Sequence, residues 1–230
     1  EVVARLLGEQ ALAARVRHPG VVEIRGVGRT GDGLPYLVME HLVGETLGAI
    51  VDRGPVPQAQ AIAVCAQAAA ALAALHAGGV IHCDVKHDNV FVCGGGAPVK
   101  VIDFGVSRLV AEPARPDAAI AGTPWYLAPE QWRGEATPAS DVYALGCMLY
   151  ELTTGHPPFD GGLPELMAAH LERRPARPSW LCRLPAALER LILCALAKAP
   201  ADRPTMAQVA AQLAALVAPA AVAAPLRAAG

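Results

Sequence analysis

Three short motifs in a fixed order place the strongest constraint on what this chain can fold into. The first spans residues 81–89 and contains His, Asp, Lys and Asn within a few positions. The second is Asp-Phe-Gly at residues 103–105, and the third is Ala-Pro-Glu at residues 128–130. Each motif alone is a weak signal, because a single Asp is more often a turn or capping residue than a catalyst. Together, in this order and at these spacings, they indicate a functional constellation.

The apolar residues divide the chain into a small part with strands and a larger helical part. Residues 1–17 have apolar side chains mostly at helical spacing. Two strand-like runs, 21–27 and 34–40, flank a Gly-Asp-Gly turn sequence, which predicts a β-hairpin. From Gly44 onward the pattern is mostly helical. Helices are expected over residues 58–76, 140–153, 163–171, 186–197 and 205–216, with short strands at 90–93 and 99–102.

Composition and charge exclude several classes of protein. The chain has 230 residues, 53% hydrophobic and 17% charged, which is typical of a folded domain and not of a disordered segment. A net charge of -2 provides no basic field for nucleic acid or for a membrane surface. The six cysteines include no Cys-x-x-Cys pair, so no zinc site is expected. No membrane segment is expected either, since the apolar stretch 209–226 is interrupted by Gln212 and two prolines.

The motifs resemble those of eukaryotic-type (Hanks-type) Ser/Thr protein kinase domains, of the kind found in bacteria. Residues 82–89 have the spacing H-x-D-x-x-x-x-N of the kinase catalytic loop, and the D-F-G and A-P-E motifs follow at suitable distances. The resemblance extends from the start of the chain to about residue 216. It includes a hinge-like segment at 38–42, a peptide-docking segment at 122–126, an apolar helix at 141–146 and Asp-Arg-Pro at 202–204.

The resemblance implies an α+β fold, the protein-kinase-like two-lobed fold with a truncated N-lobe and a complete helical C-lobe. Residues 1–43 would be the remnant of the N-lobe, with helix C, strands 4 and 5 and the hinge. Residues 44–216 would form the C-lobe, and residues 217–230 an Ala/Pro-rich tail. The first three strands of the family's N-lobe are expected to be absent, because the chain begins inside the first helix.

The same resemblance assigns the chemistry to four residues. Asp84 would accept the proton of the substrate hydroxyl, and Lys86 would contact the transferring γ-phosphate of ATP. Asn89 and Asp103 offer hard oxygen ligands of the type that Mg²⁺ prefers. ATP and Mg²⁺ are therefore the expected cofactors, because phosphoryl transfer needs positioning and charge neutralisation more than covalent catalysis.

Further residues are expected to bind the nucleotide and the substrate. Met39 would be the gatekeeper, and the backbone of Glu40 and Leu42 would bond the adenine edge. Thr123 would bind the protein substrate, and its combination with Lys86 is typical of the Ser/Thr branch of the family. Structural support is expected from Glu9, His82, Glu130, Asp141 and Arg203, with Glu130 and Arg203 as an ion pair.

One departure from the family lies at Cys83. Most relatives have an Arg there that binds the phosphate on the activation loop through charge-assisted hydrogen bonds, which Cys cannot form. Between Gly105 and Gly122 the only hydroxyl residue in the sequence is Ser107. The resulting hypothesis is that this kinase does not use activation-loop phosphorylation as its switch.

A second departure lies at the front of the chain. Glu9 is in the position of the family's helix-C Glu, whose Lys partner and Gly-rich loop should precede it. The G-x-G-x-x-G sequence of residues 26–31 follows that helix, which favours a plain turn over a phosphate-binding loop. The activity of these 230 residues is therefore expected to be impaired.

The expected function is transfer of the ATP γ-phosphate to Ser or Thr hydroxyls of protein substrates. It would take place in the cytoplasm, or in the cytoplasmic domain of a longer membrane-anchored kinase. One alternative is a non-catalytic pseudokinase-like binding module, against which the intact motif residues argue. Another is a small-molecule phosphotransferase, which shares a similar catalytic loop but lacks a docking segment such as 122–130. No nucleic-acid partner is expected, and dimerisation is left open.

Overall fold

The computed structural model describes Gly8, Leu12, residues 15–111 and residues 122–217. In these residues a small β-hairpin precedes a larger, mainly helical part, which confirms the expected α+β class. The helix predicted over residues 1–17 lies largely outside the described residues, although Gly8 and Leu12 are helical. Glu9 and the tail from residue 218 onward also lie outside them.

The predicted hairpin is present. Strand β1 (Ile24–Arg29) pairs antiparallel with strand β2 (Pro35–Met39). The turn at the tip includes Gly33, whose φ of +87° lies in the left-handed region that glycine adopts without strain. The first glycines of the G-x-G-x-x-G sequence lie within β1, so the turn begins later than expected. A Cβ atom at Gly28 would meet the ring of Tyr36, an exposed side chain that could turn away from it.

Two small sheets hold the segments that carry the motifs. Strands β3 (Gly44–Thr46), β5 (Val90–Cys93) and β6 (Lys100–Val101) form an antiparallel sheet in the order β3-β5-β6. Strand β4 (Val80–Ile81) pairs with β7 (Arg108–Leu109). The sequence predicted β5 and β6 but not the other three, because strands of two or three residues are too short to show an alternating pattern.

The five helices predicted from residue 58 onward are present with nearly the same bounds. A short additional helix begins after Thr46, whose Oγ1 accepts a hydrogen bond from Ala49 N at 3.2 Å and caps it. The described helices are α1 (Leu47–Asp52), α2 (Gln58–Ala77), α3 (Pro138–Thr154), α4 (Leu163–Glu172), α5 (Ala186–Ala195) and α6 (Met206–Leu216).

Helices α2 and α3 form the centre of the helical part. Helix α3 is buried on most sides, as its apolar pattern predicted, and Tyr143 and Leu145 are completely buried. Helix α2 is rich in alanine, and these small side chains let α3 and α6 pack closely against it. Leu72 and Leu75 of α2 are also completely buried, and burial of one such side chain contributes about 1.5–3 kcal/mol.

Helix α2 is also the one described helix that is long and apolar enough to cross a membrane, by length and composition only. Helix α2 was not recognised in the sequence as an apolar run of this length, because its apolar character comes mainly from many alanines. In the structure, 56% of its apolar window is buried inside the domain, which is typical of a core helix. Its position between α3 and α6 explains the apolarity without a bilayer.

Candidate active site

The catalytic loop, residues 82–89, begins where β4 ends and is held by a buried carboxylate from α3. Asp141 accepts the backbone N–H groups of His82 and Cys83, each at 2.9 Å. Cys83 has a φ of +69°, a left-handed conformation that is uncommon for a residue other than glycine. Gln131 donates to the Cys83 carbonyl at 3.0 Å, so hydrogen bonds on both sides hold this conformation. The position of Asp141 fits the bracing role expected from the sequence.

His82 connects the catalytic loop to the segment that precedes Asp103. Its Nε2 atom lies 3.0 Å from the carbonyl of Ile102, and its Nδ1 atom accepts from Asp84 N at 3.3 Å. A neutral ring protonated on Nε2 satisfies both bonds. The residue is completely buried, and its ring packs on Phe104 with 5.5 Å between centroids. These contacts fit a structural brace and not an acid or base.

Asp84 is the centre of a hydrogen-bonded cluster that joins most of the predicted site. Its Oδ1 atom accepts from the backbone N and the Oγ1 of Thr123, both at 2.9 Å. Its Oδ2 atom lies 2.9 Å from Lys86 Nζ and 3.1 Å from Asn89 Nδ2. Lys86 Nζ also donates to Thr123 Oγ1 at 2.9 Å. The structure therefore brings together residues that the sequence assigned to four separate roles.

The electrostatics of this cluster keep Asp84 ionised. Burial raises the pKa of the Asp84 carboxyl, but the hydrogen bonds from Lys86 and Thr123 and the charge of Lys86 outweigh it, so that the pKa lies below its ordinary value. The Asp84 side chain is 11% exposed and that of Lys86 is 22% exposed, so both can be reached from solvent. A charged carboxylate that is open to solvent can accept the hydrogen of an incoming hydroxyl.

The two predicted metal ligands lie at the same end of the β5–β6 pair. Asn89 directly precedes β5 and Asp103 follows β6, and Val90 pairs with Val101 in register. Ile102 N also donates to the carbonyl of Asn89 at 3.0 Å. Asp103 has a φ of +65° and accepts from Gly105 N at 3.1 Å through Oδ1, a tight turn that Asp tolerates.

These two residues fit the requirements of Mg²⁺. Asn89 uses its Nδ2 atom to bond Asp84, at the carbonyl (2.8 Å) and the carboxylate, which leaves the amide oxygen for a cation. Within the described residues, no group of three or more His, Cys, Asp and Glu side chains is arranged to hold a metal ion. Mg²⁺ does not need such a cage, because it is usually held by one or two protein oxygens together with phosphates and water.

The hinge-like segment joins the hairpin to the helical part. Met39 ends β2 and is 47% exposed, and Leu42 packs against the core. Glu40 donates its backbone N–H to Glu23 O at 2.9 Å, so its carbonyl is the backbone group left for an adenine edge. Its side chain forms an ion pair with Lys100 of β6 at 2.5 Å. This bond ties the hinge to the strand that leads to Asp103.

The docking segment is anchored at its far end by a buried ion pair. Thr123 starts the 3-10 turn Pro124–Tyr126, and Glu130 follows shortly after it. Arg203 donates to both carboxylate oxygens of Glu130, at 2.7 and 2.9 Å. Ser140 adds a third bond to Glu130 at 2.7 Å. Both charged residues are buried, and they form the ion pair that was expected from the sequence.

Three residues near the site were not found from the sequence. His76 at the end of α2 bonds Asp141 through Nε2 at 2.8 Å, Gln131 bonds Cys83, and Lys100 bonds Glu40. Only weak signals were available. Gln131 adjoins the Ala-Pro-Glu motif, and Lys100 is a charged residue within an apolar strand. Their partners are distant in the chain, so no local pattern reveals them.

Comparison with known families agrees with this geometry. The protein kinase domain matches residues 2–213 of the chain. The chain therefore belongs to the protein kinase family. Its relatives place it among bacterial Ser/Thr protein kinases of the Hanks type, and by family it is a serine/threonine-protein kinase.

Three relatives illustrate the similarity. Serine/threonine-protein kinase PknB of Mycobacterium leprae is 43% identical over 208 residues, which cover 86% of this chain and 33% of the relative. A probable serine/threonine-protein kinase, CE0033, of Corynebacterium efficiens is 41% identical over 224 residues, covering 91% and 34%. Serine/threonine-protein kinase pkn3 of Myxococcus xanthus is 37% identical over 220 residues, covering 90% and 40%. The chain thus spans between a third and two fifths of these relatives' length. Protein kinases in general use ATP and Mg²⁺ and act on proteins.

Proposed function

We propose that this domain transfers the γ-phosphate of ATP to Ser and Thr hydroxyls of protein substrates, with Asp84 as the catalytic base. The observation that carries the proposal is the position of the Asp84 carboxylate. It is bonded at once to Lys86, Asn89 and Thr123, which belong to the catalytic loop and to the docking segment. ATP is a cytoplasmic metabolite, so the reaction takes place in the cytoplasm.

Asp84 orients the acceptor hydroxyl and takes its proton. As the hydroxyl oxygen forms its bond to the γ-phosphorus, the bond from that phosphorus to the bridging oxygen breaks and ADP leaves with the electron pair. The proton of the hydroxyl passes to the Asp84 carboxylate. The lowered pKa of Asp84 keeps the carboxylate charged and ready at neutral pH.

Lys86 supplies a fixed positive charge beside the base. Its Nζ atom lies between Asp84 Oδ2 and Thr123 Oγ1, each at 2.9 Å. A cation in this place can bond an oxygen of the transferring phosphoryl group while it holds Asp84 in position. Thr123 in turn keeps the docking segment, and with it the substrate backbone, next to the base.

Asn89 and Asp103 are the residues that would hold Mg²⁺. The ion supplies neutralisation of phosphate charge when it is bound. The chain's own contribution is to fix both oxygens at one end of the β5–β6 pair, through the bond from Ile102 N to Asn89 O. Glu40 and Leu42 would hold the adenine at the hinge, where Lys100 fixes the Glu40 side chain.

The test compares phosphate transfer by wild-type protein and by Asp84→Asn. The natural full-length protein and the 230-residue chain are each incubated with radiolabelled ATP, Mg²⁺ and casein, and transfer is counted. We expect Asp84→Asn to reduce transfer by the full-length protein about 10²- to 10⁴-fold, the usual range for a lost general base. Asp160→Asn, the same chemical change at an exposed carboxylate, is the matched control and should transfer normally.

The outcomes separate the candidate functions. Retained transfer in a folded Asp84→Asn protein would overturn the role of Asp84. A folded wild-type full-length protein that transfers nothing would favour a non-catalytic binding module. A 230-residue chain that matches the full-length protein would contradict the expectation that its activity is impaired.

A further inference from the structure

His87 is a buried titratable residue of the catalytic loop that the proposed reaction does not use. It follows Lys86 directly and begins the 3-10 turn His87–Asn89. Its side chain is only 7% exposed, although the residues of this loop lie beside a solvent-reachable site. The contacts of its ring explain why a histidine is buried directly beside Lys86.

These contacts join three separate elements. His87 Nδ1 lies 3.1 Å from the hydroxyl of Tyr126, at the end of the docking segment. The Tyr126 hydroxyl lies 3.0 Å from Glu151 Oε2 on α3, and the two rings of His87 and Tyr126 meet edge to face. The direct distance from His87 Nδ1 to Glu151 Oε2 is 3.7 Å, longer than a hydrogen bond. Tyr126 is therefore the link between the histidine and the carboxylate.

The direction of the hydrogen bonds follows from the chemistry of the groups. An ionised carboxylate only accepts, so Tyr126 donates its hydroxyl hydrogen to Glu151. The Tyr126 oxygen then accepts from His87, which must carry its hydrogen on Nδ1. The Nε2 atom of His87 is buried and makes no hydrogen bond. With the hydrogen on Nδ1, each acceptor in the chain from His87 through Tyr126 to Glu151 has a donor, and Nε2 carries only a lone pair.

We propose that His87 is a positioning residue: its Nδ1–H fixes Tyr126, and through it the docking segment, against the catalytic loop. The proposal rests on the proposed function of the site. It gives the segment two separate attachments to the loop, since Thr123 already bonds Asp84 and Lys86. One attachment at each end of the turn Pro124–Tyr126 fixes both the distance and the orientation of a docked peptide relative to the base.

The first experiment observes the tautomer directly and needs no enzymatic activity. The 230-residue chain is labelled with ¹⁵N in its histidine rings, and His87 is assigned by the resonances that disappear in His87→Asn. We expect a neutral ring with hydrogen on Nδ1 in the wild type. Tyr126→Phe should abolish this tautomer preference, and Tyr36→Phe, at a tyrosine that is 44% exposed, should not. Hydrogen on Nε2, or no response to Tyr126→Phe, would overturn the proposal.

The second experiment measures KM and kcat of the natural full-length protein. His87→Ala removes the donor, and we expect the KM for a protein substrate to rise about tenfold, the effect of one lost hydrogen bond, with the KM for ATP unchanged. His87→Asn places an amide N–H near the position of Nδ1–H and should restore most of the loss. An equal rise in the KM for ATP and in the KM for the protein substrate would mean that His87 has a merely structural role, and it would overturn the proposal.

The two experiments test the two proposals separately. A wild-type protein that transfers no phosphate would refute the proposed function, while the ¹⁵N experiment would still decide whether His87 fixes Tyr126. A kinase that depends on Asp84 but carries the His87 hydrogen on Nε2 would refute only the role of His87.

Discussion

Arg203 binds Glu130 through two parallel hydrogen bonds in the interior of the protein, from Nη1 to Oε1 at 2.7 Å and from Nη2 to Oε2 at 2.9 Å. The remaining N–H groups of Arg203 donate to the carbonyls of Ala197, Ala139 and Lys198. All five N–H groups of the guanidinium are therefore used. The pair fastens the end of the docking segment to the helices behind it.

Arg203→Lys should destabilise the protein although it conserves the charge. A lysine has three N–H groups at one point, so it cannot bond Glu130 twice and also satisfy three partly buried carbonyls. We expect a loss of about 2–4 kcal/mol in the free energy of unfolding. Denaturant titration followed by circular dichroism measures it. Arg190→Lys, at an exposed arginine, should change stability by less than about 0.5 kcal/mol, and similar losses in both variants would contradict the prediction.

Asp141→Asn should loosen the catalytic loop. The carboxylate accepts from His82 N, Cys83 N and His76 Nε2, and an asparagine would turn an N–H group toward one of these donors. We expect a loss of about 2–4 kcal/mol and faster amide hydrogen exchange at His82 and Cys83. Hydrogen-exchange mass spectrometry checks the second effect, with Asp160→Asn as the control. Unchanged exchange in the loop would show that Asp141 is not its anchor.

Asp141 should also contribute to the loss of stability in acid. Burial raises the pKa of its carboxyl, but the bond and the charge of His76 and the contacts with His82 outweigh it, so the pKa lies below the ordinary value. A lowered pKa means that the folded state binds its proton only at lower pH than the unfolded state does. This stabilisation is present above the unfolded value of about 3.9 and is lost as the pH falls through the folded value. The slope of unfolding free energy below pH 4 should be shallower in Asp141→Asn.

His170 should make the protein sensitive to mild acid. It is completely buried on α4 and bonds the Tyr143 hydroxyl through Nδ1 at 3.0 Å. Burial, and then the charge of Lys198, lower its pKa to about 4. The unfolded chain therefore binds a proton at this histidine near pH 6.5, whereas the folded chain binds it only near pH 4. The stability of the fold is lost as the pH falls across this window.

The loss attributable to His170 should reach about 3 kcal/mol between pH 6.5 and 4. Unfolding free energies measured across this window should show a clearly reduced slope in His170→Gln. His156→Gln, at an exposed histidine, should leave the slope as it is. An identical slope in wild type and His170→Gln would refute the assignment.

The activation loop should carry no stoichiometric activating phosphate between Gly105 and Gly122. Ser107 is the only hydroxyl residue of that sequence, and its Oγ donates to the carbonyl of His82 at 3.1 Å in a half-buried position. Cys83 lacks the positive charge that would bind such a phosphate. Mass spectrometry of the autophosphorylated full-length protein tests this hypothesis, and a stoichiometric phosphate at Ser107 that raises activity would refute it.

The sequence by itself determined the elements with strong local patterns. Helices α2 and α3 and the β1–β2 hairpin follow from apolar spacing and turn residues that act within a few positions of each other. The motifs also identified the residue types that phosphoryl transfer needs, namely Asp84, Lys86 and the two oxygen ligands. Strands as short as β4 and β7 could not be predicted, because they form only when a partner from a distant segment is already in place.

Only the tertiary structure decided how these residues meet. Thr123 reaches Asp84 across the separation between the docking segment and the catalytic loop, and the five hydrogen bonds of Arg203 end on three different segments. The chain from His87 through Tyr126 to Glu151 likewise depends on where α3 lies. The physical reason is that a hydrogen bond requires its atoms within about 3 Å. Such distances between segments far apart in the chain are fixed by the packing of the helical core, and no local pattern of residues records them.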